Sequence, residues 1–418
     1  MDTSSSPAAA VAVTPKPASP AAAPRRLRRI LSLDDLEHAA RRHLPPPIFA
    51  YVSGGCETNI ARYDNRAVFD EYRFVSRVLT STSKRSLRTR ILGQDWAMPF
   101  GIAPMGMSAL SAYQGDLVQA RAAAQAGIPM IMSGSSLIPL EQIVQAYPQA
   151  WFQAYVPGEP ARILALIDRV ERAGYGTLVV TVDTPVSGNR ENNTRAGFSS
   201  PLRPSLRLAW DGVTHPRWLF GTALKTLWRH GMPHFENSQA TRGAPILSRN
   251  VLRDFGARDH LDWSHFDLIR DRWRGRLVLK GVLHPRDAVL AREHGADAVI
   301  VSNHGGRQLD GAASPMRVLP AIVQALGPDY PVMLDSGIRR GTDVLKALAL
   351  GAHFVFVGRP FNYAGAIAGQ AGVAHAIDIL RQEVHRNMAL LGLNGPRDLG
   401  ADELLHVAPA ALSPAVPA

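Results

Sequence analysis

A histidine and an arginine stand three residues apart in the run Ser302–Asp310, beside two adjacent glycines. The run follows Ala298–Val301, an apolar segment typical of a strand that is buried on both faces. Imidazole is well suited to transferring a proton near neutral pH, and guanidinium binds a carboxylate with two parallel hydrogen bonds. Glycine lets backbone approach a flat ligand, because it has no Cβ. His304 and Arg307 therefore predict proton transfer beside a bound anion, with a polar turn that only caps the strand as the alternative.

Eight short apolar runs alternate with amphipathic segments along the chain. Such alternation builds parallel sheets, and eight units predict an α/β fold, the (β/α)8 TIM barrel. An open, doubly wound sheet is the competing arrangement, but no G-x-G-x-x-G sequence follows a first strand. The predicted strands are Met98–Pro104, Ile128–Ser133, Trp151–Val156, Leu178–Asp183, Leu277–Val282, Ala298–Ser302, Val332–Asp335 and Phe354–Gly358. The predicted helices include Gly115–Ala126, Pro139–Tyr147, Ala161–Ala173, Pro285–His294 and Gly341–Leu350.

Nearly every predicted strand ends in a side chain that can do chemistry. In a barrel these carboxyl ends meet at one face, which is where the active sites of such folds lie. A single polar residue at a strand end is usually a helix cap, but a whole set of them indicates one site. The residues are Ser133, Gln153 with Tyr155, Thr181 with Asp183, Lys280, Ser302 with His304, Asp335, and Gly358 with Arg359.

The segments outside the barrel have their own compositions. Residues 1–30 are rich in Ala and Pro and include four arginines near their end, which predicts a disordered basic tail. The predicted domain covers residues 31–395 and begins with a helical segment, Ala39–Tyr72, while residues 396–418 form a second tail. The interval Thr184–Arg276, after the fourth strand, is too long for a strand-to-helix loop and predicts an insertion at about residues 199–260.

Composition narrows the class of protein without choosing a partner. A hydrophobic content of 46% supports a large core, and a net charge of +11 suits nucleic acid, an anionic membrane or anionic small molecules. No nucleic-acid motif is present, so no nucleic-acid partner is expected. The single cysteine, Cys56, excludes an internal disulfide and any CxxC metal site, so no metal is expected and a reducing cytoplasm is indicated. No apolar run reaches the roughly 20 residues needed to cross a bilayer.

Five motifs, in this order, resemble those of the FMN-dependent 2-hydroxy-acid dehydrogenase and oxidase family. They are Trp151–Tyr155, Thr181–Pro185, Leu279–Val282, Ser302–Asp310 and Asp335–Gly341, and the resemblance extends over about Leu31 to Leu393. It implies the barrel reached above, FMN as cofactor, and oxidation of an (S)-2-hydroxy acid, lactate-like or mandelate-like, to the 2-oxo acid. It also implies a homo-oligomer, commonly a tetramer. The side chain of the hydroxy acid stays open.

The resemblance assigns the cofactor to most of the strand ends. The FMN phosphate is expected at Asp335, Ser336, Gly337, Ile338 and Arg339, and at Gly358 and Arg359. The flavin ring is expected against the backbone of Ala103, Pro104 and Met105, with hydrogen bonds from Ser133, Gln153, Thr181 and Ser302. Lys280 resembles the lysine that stabilises negative charge near N1 of reduced flavin.

Substrate and catalysis are expected on the remaining residues. Arg307 and Arg190 resemble the pair that binds the substrate carboxylate, with a further hydrogen bond from Tyr51 and with Tyr155 at the hydroxyl or the forming ketone. By resemblance His304 is the base, and Asp183 orients it and stabilises the imidazolium. Two mechanisms stay open, removal of the Cα proton to give a carbanion and removal of the hydroxyl proton with hydride transfer to the flavin.

Two features of the sequence bear on the identity of the electron acceptor, one glycine and the insertion. Gly106 matches the glycine of dehydrogenases and of the monooxygenase, where typical oxidases have alanine, and this favours a quinone or another acceptor over O2. An O2-using oxidase and a lactate 2-monooxygenase are the alternatives, and a basic binding or scaffold barrel is the distant non-enzyme alternative.

The insertion contains a basic amphipathic segment, Pro216–Gly231, which is typical of helices that lie on a membrane surface. Phe220, Leu224, Leu227 and Trp228 form its apolar stripe, Arg217, Lys225 and Arg229 its charge, and Trp210 and Trp218 its interfacial aromatics. The resemblance to the lactate and mandelate dehydrogenases implies membrane contact through residues 210–230. It thus implies a location on the cytoplasmic face of the inner membrane. A helix packed on the barrel or at a subunit interface is the alternative.

Overall fold

A computed structural model describes residues 24–247 and 258–407 of the chain. Eight strands, β4 to β11, belong to one parallel sheet with the order β4-β11-β10-β9-β8-β7-β6-β5. Pairing between Ile102 and Met130 links β4 to the segment leading into β5, so the sheet curls almost into a closed barrel. The strands are β1 (Tyr72–Phe74), β2 (Thr89–Ile91), β3 (Gln94–Trp96), β4 (Phe100–Ile102), β5 (Ile131–Ser133), β6 (Trp151–Tyr155), β7 (Thr177–Thr181), β8 (Arg276–Val282), β9 (Ala298–Val301), β10 (Val332–Asp335), β11 (Phe354–Val357) and β12 (Leu404–His406).

The predicted TIM barrel is confirmed, and each barrel strand lies within or overlaps its predicted run. The open doubly wound sheet is wrong, because the first strand pairs with the last at Val355 and Phe100. The helices form the outer layer. They are α1 (Leu33–His43), α2 (Pro46–Ser53), α3 (Ile60–Ala67), α4 (Ser108–Ser111), α5 (Gly115–Ala126), α6 (Leu140–Ala146), α7 (Pro160–Ala173), α8 (Glu191–Arg195), α9 (Leu206–Val213), α10 (Pro216–Trp218), α11 (Leu224–His230), α12 (Trp263–Arg272), α13 (Pro285–Glu293), α14 (Pro315–Leu326), α15 (Gly341–Ala349) and α16 (Arg359–Leu391).

The two-residue period of a strand decides which side chains reach the mouth of the barrel. On β6, Trp151, Gln153 and Tyr155 share the inward face, because successive side chains alternate between faces. Trp151 fills the interior, where it packs edge to face on Phe356 with ring centroids 5.5 Å apart. Gln153 and Tyr155 lie nearer the carboxyl end. One strand thus supplies both a core residue and two site residues.

The N-terminal helices pack on the barrel and bring α2 to its mouth. Ser32 caps α1 through a hydrogen bond from the amide of Asp35. The predicted tail lies outside the described residues at 1–23, but its boundary at residue 30 is wrong, because Leu27 and Ile30 are buried and Arg25–Leu27 form a 3₁₀ turn. The packed chain therefore starts before residue 31.

The C-terminal boundary at residue 395 is also too early. Leu399 is buried, and β12 pairs antiparallel with β1, so His406 lies opposite Tyr72. Residues 408–418 of the predicted second tail lie outside the described residues. The two chain ends of the described part are thereby tied to the same packed unit.

The insertion follows β7, the fourth barrel strand, as predicted, and residues 248–257 of it lie outside the described part. Residues 216–230 are helical, with a π-helical stretch, Leu219–Ala223, between α10 and α11. The prediction of Trp218 as an interfacial aromatic is wrong, because it is half-buried and its indole N–H donates to the carbonyl of Leu110 at 2.7 Å. Across residues 24–247 and 258–407, none of the helices combines the length and the apolar character that crossing a bilayer requires.

Candidate active site

The carboxyl ends of the eight barrel strands surround one cavity of about 810 Å³. Seventeen of the predicted site residues line it: Tyr51, Ala103, Pro104, Met105, Tyr155, Thr181, Arg190, Lys280, His304, Arg307, Asp335, Ser336, Gly337, Ile338, Arg339, Gly358 and Arg359. The other four lie directly behind this lining. Asp183 and Ser302 are hydrogen-bonded to His304 and Lys280, while Ser133 and Gln153 are hydrogen-bonded to each other. The structure thus brings the whole predicted set together.

His304 lies between a carboxylate and a phenol. Its Nδ1 is 2.9 Å from Oδ1 of Asp183, and its Nε2 is 3.3 Å from the hydroxyl of Tyr155. Because an ionised carboxylate only accepts hydrogen bonds, Nδ1 carries the proton of the neutral ring and Nε2 presents its lone pair to the cavity. The backbone is left-handed at His304, with φ of 58°, and its amide donates to Ser302 Oγ at 3.1 Å. The arrangement suits a base whose charged form is stabilised by Asp183.

Burial and neighbouring charges set the protonation states of these groups. Burial lowers the pKa of His304 below its ordinary 6.5, which outweighs the raising effect of Asp183, and Lys280 and Arg190 lower the pKa further. Burial raises the pKa of Asp183, but the His304 ring, its hydrogen bond and Lys280 together bring that pKa below 3.8. Burial raises the pKa of Tyr155 to about 12. At neutral pH the site therefore holds a neutral imidazole, a carboxylate and a protonated phenol.

Lys280 is a buried ammonium group fixed by two partners. Its Nζ is 2.9 Å from Oδ2 of Asp335 and donates to Ser302 Oγ at 2.8 Å. Burial lowers the pKa of Lys280, but the carboxylates of Asp335 and Asp183 outweigh this effect and raise the pKa above 10.5. A permanent cation therefore faces the cavity beside the imidazole.

Two guanidinium groups form one wall of the cavity. Arg307 donates to the carbonyls of Tyr51 and Gly54 at 2.7 and 2.9 Å, and its guanidinium carbon is 5.1 Å from the centroid of the Tyr51 ring. Arg190 donates through Nε to the main-chain carbonyl of Arg307 at 3.1 Å and through Nη2 to Gln308 at 2.7 Å. Burial, with Arg190 nearby, lowers the pKa of Arg307 to about 10. No carboxylate of the described chain forms an ion pair with either arginine, so this wall favours a bound anion.

The loops after β10 and β11 form a second cationic wall. Gly358 precedes α16, and Arg359, its first residue, donates to the carbonyls of Val52, Gly54 and Gly305 at 2.8–3.0 Å. Burial and the neighbouring Arg307 lower the pKa of Arg359 to about 9. A helix N-terminus and a buried guanidinium together suit a phosphate group.

The loop after β10 requires a glycine. The backbone is left-handed at Ser336 and Gly337, with φ of 81° and 86°, and a Cβ at Gly337 would lie 1.9 Å from the carbonyl oxygen of Asn65. This close approach lets α3 pack under the loop. Arg339 follows, and burial lowers its pKa. The loop thus directs a second buried guanidinium toward the same wall.

The residues expected around a flavin ring fit such a group. Thr181 Oγ1 and Gln153 Nε2 are buried and have no hydrogen-bond partner within the described ranges, so both are free to bond a polar ring edge. At Gly358 a Cβ would lie 3.0 Å from Sδ of Met105, which shows how closely these two strand ends approach. A donor and acceptor set, a cation at Lys280 and a phosphate-type wall therefore occur around one cavity.

Among the lining residues that were not predicted from the sequence, three contact predicted site residues or extend their network. Phe198 stacks on Tyr51 with ring centroids 4.7 Å apart, and the Arg258 guanidinium lies 5.3 Å from the centroid of the Tyr155 ring. Gln308 donates to the carbonyl of Asp183 at 3.2 Å. Gln308 belongs to the run Ser302–Asp310 and could have been found there. Phe198 lies directly before the insertion and Arg258 lies within it, where no periodic pattern marks a lining residue.

Fold and site together define a TIM-barrel enzyme whose mouth is built for a phosphorylated cofactor and an organic acid. The sequence matches the model of the FMN-dependent dehydrogenase family over residues 40–406, and the chain belongs to that family. The cofactor of the family is FMN, and the predicted FMN-dependent 2-hydroxy-acid dehydrogenase class is confirmed.

Relatives and solved structures agree with this assignment. The chain is 39% identical to the L-lactate dehydrogenase of Stenotrophomonas maltophilia (strain R551-3) over 377 residues, which are 89% of this chain and 98% of that protein. It is 39% identical to the L-lactate dehydrogenase of Ectopseudomonas mendocina (strain ymp), over 89% of this chain and 97% of that protein. A structure of the monotopic membrane protein (S)-mandelate dehydrogenase superposes with a TM-score of 0.81 at 34% identity, over 91% of this chain and all of that one. A structure of a soluble mutant of the membrane-associated (S)-mandelate dehydrogenase from Pseudomonas putida superposes with a TM-score of 0.75 at 32% identity, over 90% of this chain and 99% of that one.

Proposed function

We propose that the protein oxidises an (S)-2-hydroxy acid, lactate-like or mandelate-like, to the 2-oxo acid, with His304 as the base. The observation that carries this proposal is the His304 ring, held at Nδ1 by Asp183 at 2.9 Å while Nε2 faces the cavity. Neutral imidazole is the form that accepts a proton, and burial favours that form.

The substrate carboxylate binds the guanidinium wall of Arg307 and Arg190, and the hydroxyl of Tyr51 adds a hydrogen bond. This orientation brings Cα and its hydroxyl to Nε2 of His304 and to the Tyr155 hydroxyl, which lie 3.3 Å apart. Nε2 accepts a proton either from Cα or from the hydroxyl, and the Asp183 carboxylate stabilises the resulting imidazolium. FMN, when bound, takes up the two electrons that leave the substrate.

The chain's own residues would hold that cofactor by charge and by hydrogen bonds. Arg359, Arg339 and the loop from Asp335 to Ile338 would hold the phosphate, beside the N-terminus of α16. Gln153, Thr181, Ser133 and Ser302 would bond the ring edge, and the backbone of Ala103–Met105 would lie against its face. Lys280, an ammonium group because Asp335 is 2.9 Å away, would stabilise negative charge on the ring.

For the acceptor we propose a quinone. Gly106 is the first support, because it resembles the glycine of dehydrogenases at this position. It lies beside the substrate wall, where a Cβ added to it would be 3.0 Å from the Tyr51 hydroxyl. The insertion is the second support. Its exposed apolar side chains, here called the apolar surface, are Leu206, Trp210, Val213, Phe220, Leu224, Leu227 and Trp228, with exposed fractions of 42–92%. Large apolar side chains exposed on adjacent helices are typical of a membrane-surface segment.

We therefore propose a peripheral enzyme that contacts the cytoplasmic face of the inner membrane through residues 210–230, next to the lipid-soluble acceptor. The similarity to a monotopic membrane (S)-mandelate dehydrogenase supports this location. We further propose a homo-oligomer, a tetramer by resemblance, which light scattering of the purified holoenzyme would measure.

A panel of hydroxy acids tests the reaction and the acceptor together. Purified holoenzyme is mixed anaerobically with (S)-lactate, (S)-mandelate or a longer (S)-2-hydroxy acid, and flavin absorbance is followed. Bleaching by one of them, with faster reoxidation by a quinone analogue than by O2, is the expected result. A flavin that no (S)-2-hydroxy acid bleaches contradicts the reaction, while faster reoxidation by O2 contradicts only the acceptor and favours the oxidase alternative.

A further inference from the structure

The loop that carries His304 has a backbone conformation that needs support from outside the loop. His304, Gly305 and Gly306 follow one another in the left-handed region, with φ of 58°, 69° and 71°. Glycine adopts this region freely, but a residue with a Cβ is strained there and stays in it only where its surroundings hold it. The surroundings include α3, a helix that contributes no side chain to the cavity lining formed by the described residues.

Asn65 on α3 supports this loop through a reciprocal pair of side-chain amides. Its Nδ2 donates to Oδ1 of Asn303, and Nδ2 of Asn303 donates to Oδ1 of Asn65, both at 2.8 Å. Oδ1 of Asn303 also accepts from the amide of Gly306 at 3.1 Å, while its Nδ2 also donates to the carbonyl of Ala313 at 3.2 Å. An amide side chain has two donor hydrogens and two acceptor lone pairs, so all four hydrogen bonds open to Asn303 are made. Both side chains are buried, and the residue before His304 is therefore fixed in one orientation.

Arg66, the next residue of α3, bonds to the other loop of the site. Its guanidinium donates to the carbonyl of Gly337 and, at 2.7 Å, to Oδ2 of Asp343. The same Asp343 oxygen accepts from the backbone amides of Arg339 and Arg340 at 2.8 and 3.0 Å. Arg66 thus holds the loop after β10 at its middle and at its end.

We infer that α3 is a positioning element for both halves of the site, with Asn65 fixing the loop of the base and Arg66 fixing the loop of the phosphate wall. The inference rests on the proposed function, which assigns the base to His304 and the cofactor phosphate to the loop after β10. Successive residues of a helix point about 100° apart, so one helix can bond two different loops through neighbouring side chains. Loss of one side chain should therefore affect one loop, whereas loosening of the whole helix should affect both.

The test compares two substitutions on α3 with one that weakens the packing of the same helix from another element. Asn65→Ala leaves the Asn303 amide with two hydrogen bonds unmade, and Arg66→Ala removes the guanidinium that bonds the loop after β10. Arg317→Met is the matched control, because Arg317 on α14 pairs with Asp64 of α3 at 2.6 Å and its side chain bonds to neither loop within the described ranges. For each holoenzyme three quantities are measured: the rate of anaerobic flavin reduction at a saturating (S)-2-hydroxy acid, FMN release on dilution by flavin fluorescence, and Tm.

The two α3 variants are expected to lose different properties. Asn65→Ala should slow flavin reduction about 10- to 100-fold with FMN affinity unchanged, because misplacing a reacting group by about 1 Å costs about 100-fold in rate. Arg66→Ala should weaken FMN binding about 10-fold while the FMN-saturated enzyme is reduced at the native rate, because the loss of charged hydrogen bonds loosens only the phosphate loop. Arg317→Met should lower Tm and leave reduction and FMN affinity unchanged.

A native reduction rate in Asn65→Ala, or a native FMN affinity in Arg66→Ala, overturns the inference. It is also overturned if both α3 variants lose rate and affinity together in step with Tm, because α3 would then have only a structural role.

Asn65→Asp keeps the test decisive if Asn65→Ala does not fold, because it preserves the size of the side chain. An aspartate can donate to Oδ1 of Asn303 only when it is protonated, so its reduction rate relative to wild type should rise as the pH falls. A reduced rate whose ratio to wild type does not change with pH overturns the role of Asn65. A wild-type flavin that no (S)-2-hydroxy acid bleaches contradicts the proposed function and the base half of the inference with it, and FMN release from Arg66→Ala then decides the phosphate half.

Discussion

The mouth of the barrel and the apolar surface of the insertion hold their functional side chains in opposite ways. At the mouth the cations are buried and bonded to fixed partners, as Lys280 is to Asp335 at 2.9 Å and Arg307 is to the carbonyl of Tyr51 at 2.7 Å. At the apolar surface the side chains are exposed to solvent, from Leu224 at 42% to Leu206 at 92%. A buried charge acts on one ligand in one geometry, whereas an exposed apolar surface offers contact area without fixing the geometry of a partner. Substitutions at the mouth should therefore change turnover, whereas substitutions at the apolar surface should change binding to the membrane.

The largest effect is expected at His304, in the mouth of the barrel. His304→Ala removes the group that accepts the proton, so kcat is expected to fall about 10²- to 10⁴-fold. FMN content and binding to phospholipid vesicles are expected to stay at the wild-type level. The measurement is anaerobic flavin reduction by stopped flow, with vesicle sedimentation beside it. Reduction at the native rate would contradict the assignment of His304 as the base. Loss of vesicle binding would contradict the claim that the mouth and the membrane-binding region act independently.

A smaller effect is expected at the guanidinium wall. Arg307→Lys keeps the charge, but an ammonium group cannot supply two parallel hydrogen bonds to a carboxylate. Because a hydrogen bond to a charged group is worth about 1.5–3 kcal/mol, KM is expected to rise about 10- to 100-fold. Steady-state kinetics with a soluble acceptor measure this rise. Arg172→Lys, at an exposed arginine of α7, is the control, and an equal KM change in both variants would contradict a specific role for Arg307.

Much of the fold and the site follows from local sequence. The runs that predict the barrel strands are apolar because both faces of a parallel strand are covered, and that signal needs no tertiary information. The polar residues at the strand ends converge because the topology leaves them one face. The motif Ser302–Asp310 then carries the chemistry in one loop, from Ser302 under Lys280 to Gln308 beside Asp183.

The errors lie where tertiary packing decides. Composition at residues 25–30 predicts a tail, yet Leu27 and Ile30 are buried in the hydrophobic core, where the turn Arg25–Leu27 packs against α16. Helical periodicity cannot tell which side of a helix meets the barrel, so Trp218 and Trp228 look alike in sequence although one is half-buried and the other is 83% exposed. Arg258 reaches the cavity from the end of the insertion, which sequence spacing alone does not locate.

The pH dependence of kcat/KM tests the pairing of His304 with Asp183 in the mouth. The base must be neutral, and burial holds the pKa of His304 below 6.5, so kcat/KM is expected to be flat near neutral pH and to fall about 10-fold per pH unit only below that pKa. Asp183 raises the pKa of His304, so Asp183→Asn is expected to move the acid limb to lower pH as well as to reduce the maximal rate. Profiles measured at high and at low salt should coincide. An acid limb that moves to higher pH in Asp183→Asn would contradict the assigned pairing.

The smallest effect is expected at Gly106, which lies beside the substrate wall and bears on the choice of electron acceptor. An alanine Cβ there would lie 3.0 Å from the Tyr51 hydroxyl and 3.0 Å from Cβ of Ser135, so the tyrosine must move by a few tenths of an ångström. Since misplacement by about 1 Å costs about 100-fold, Gly106→Ala is expected to change kcat/KM about two- to five-fold. The ratio of O2 turnover to quinone turnover is expected to rise, because the alanine resembles that of oxidases. Assays with both acceptors measure the ratio, and vesicle binding should not change. A ratio that is unchanged or falls would remove Gly106 as support for a quinone acceptor, and the quinone proposal would then depend on the apolar surface alone.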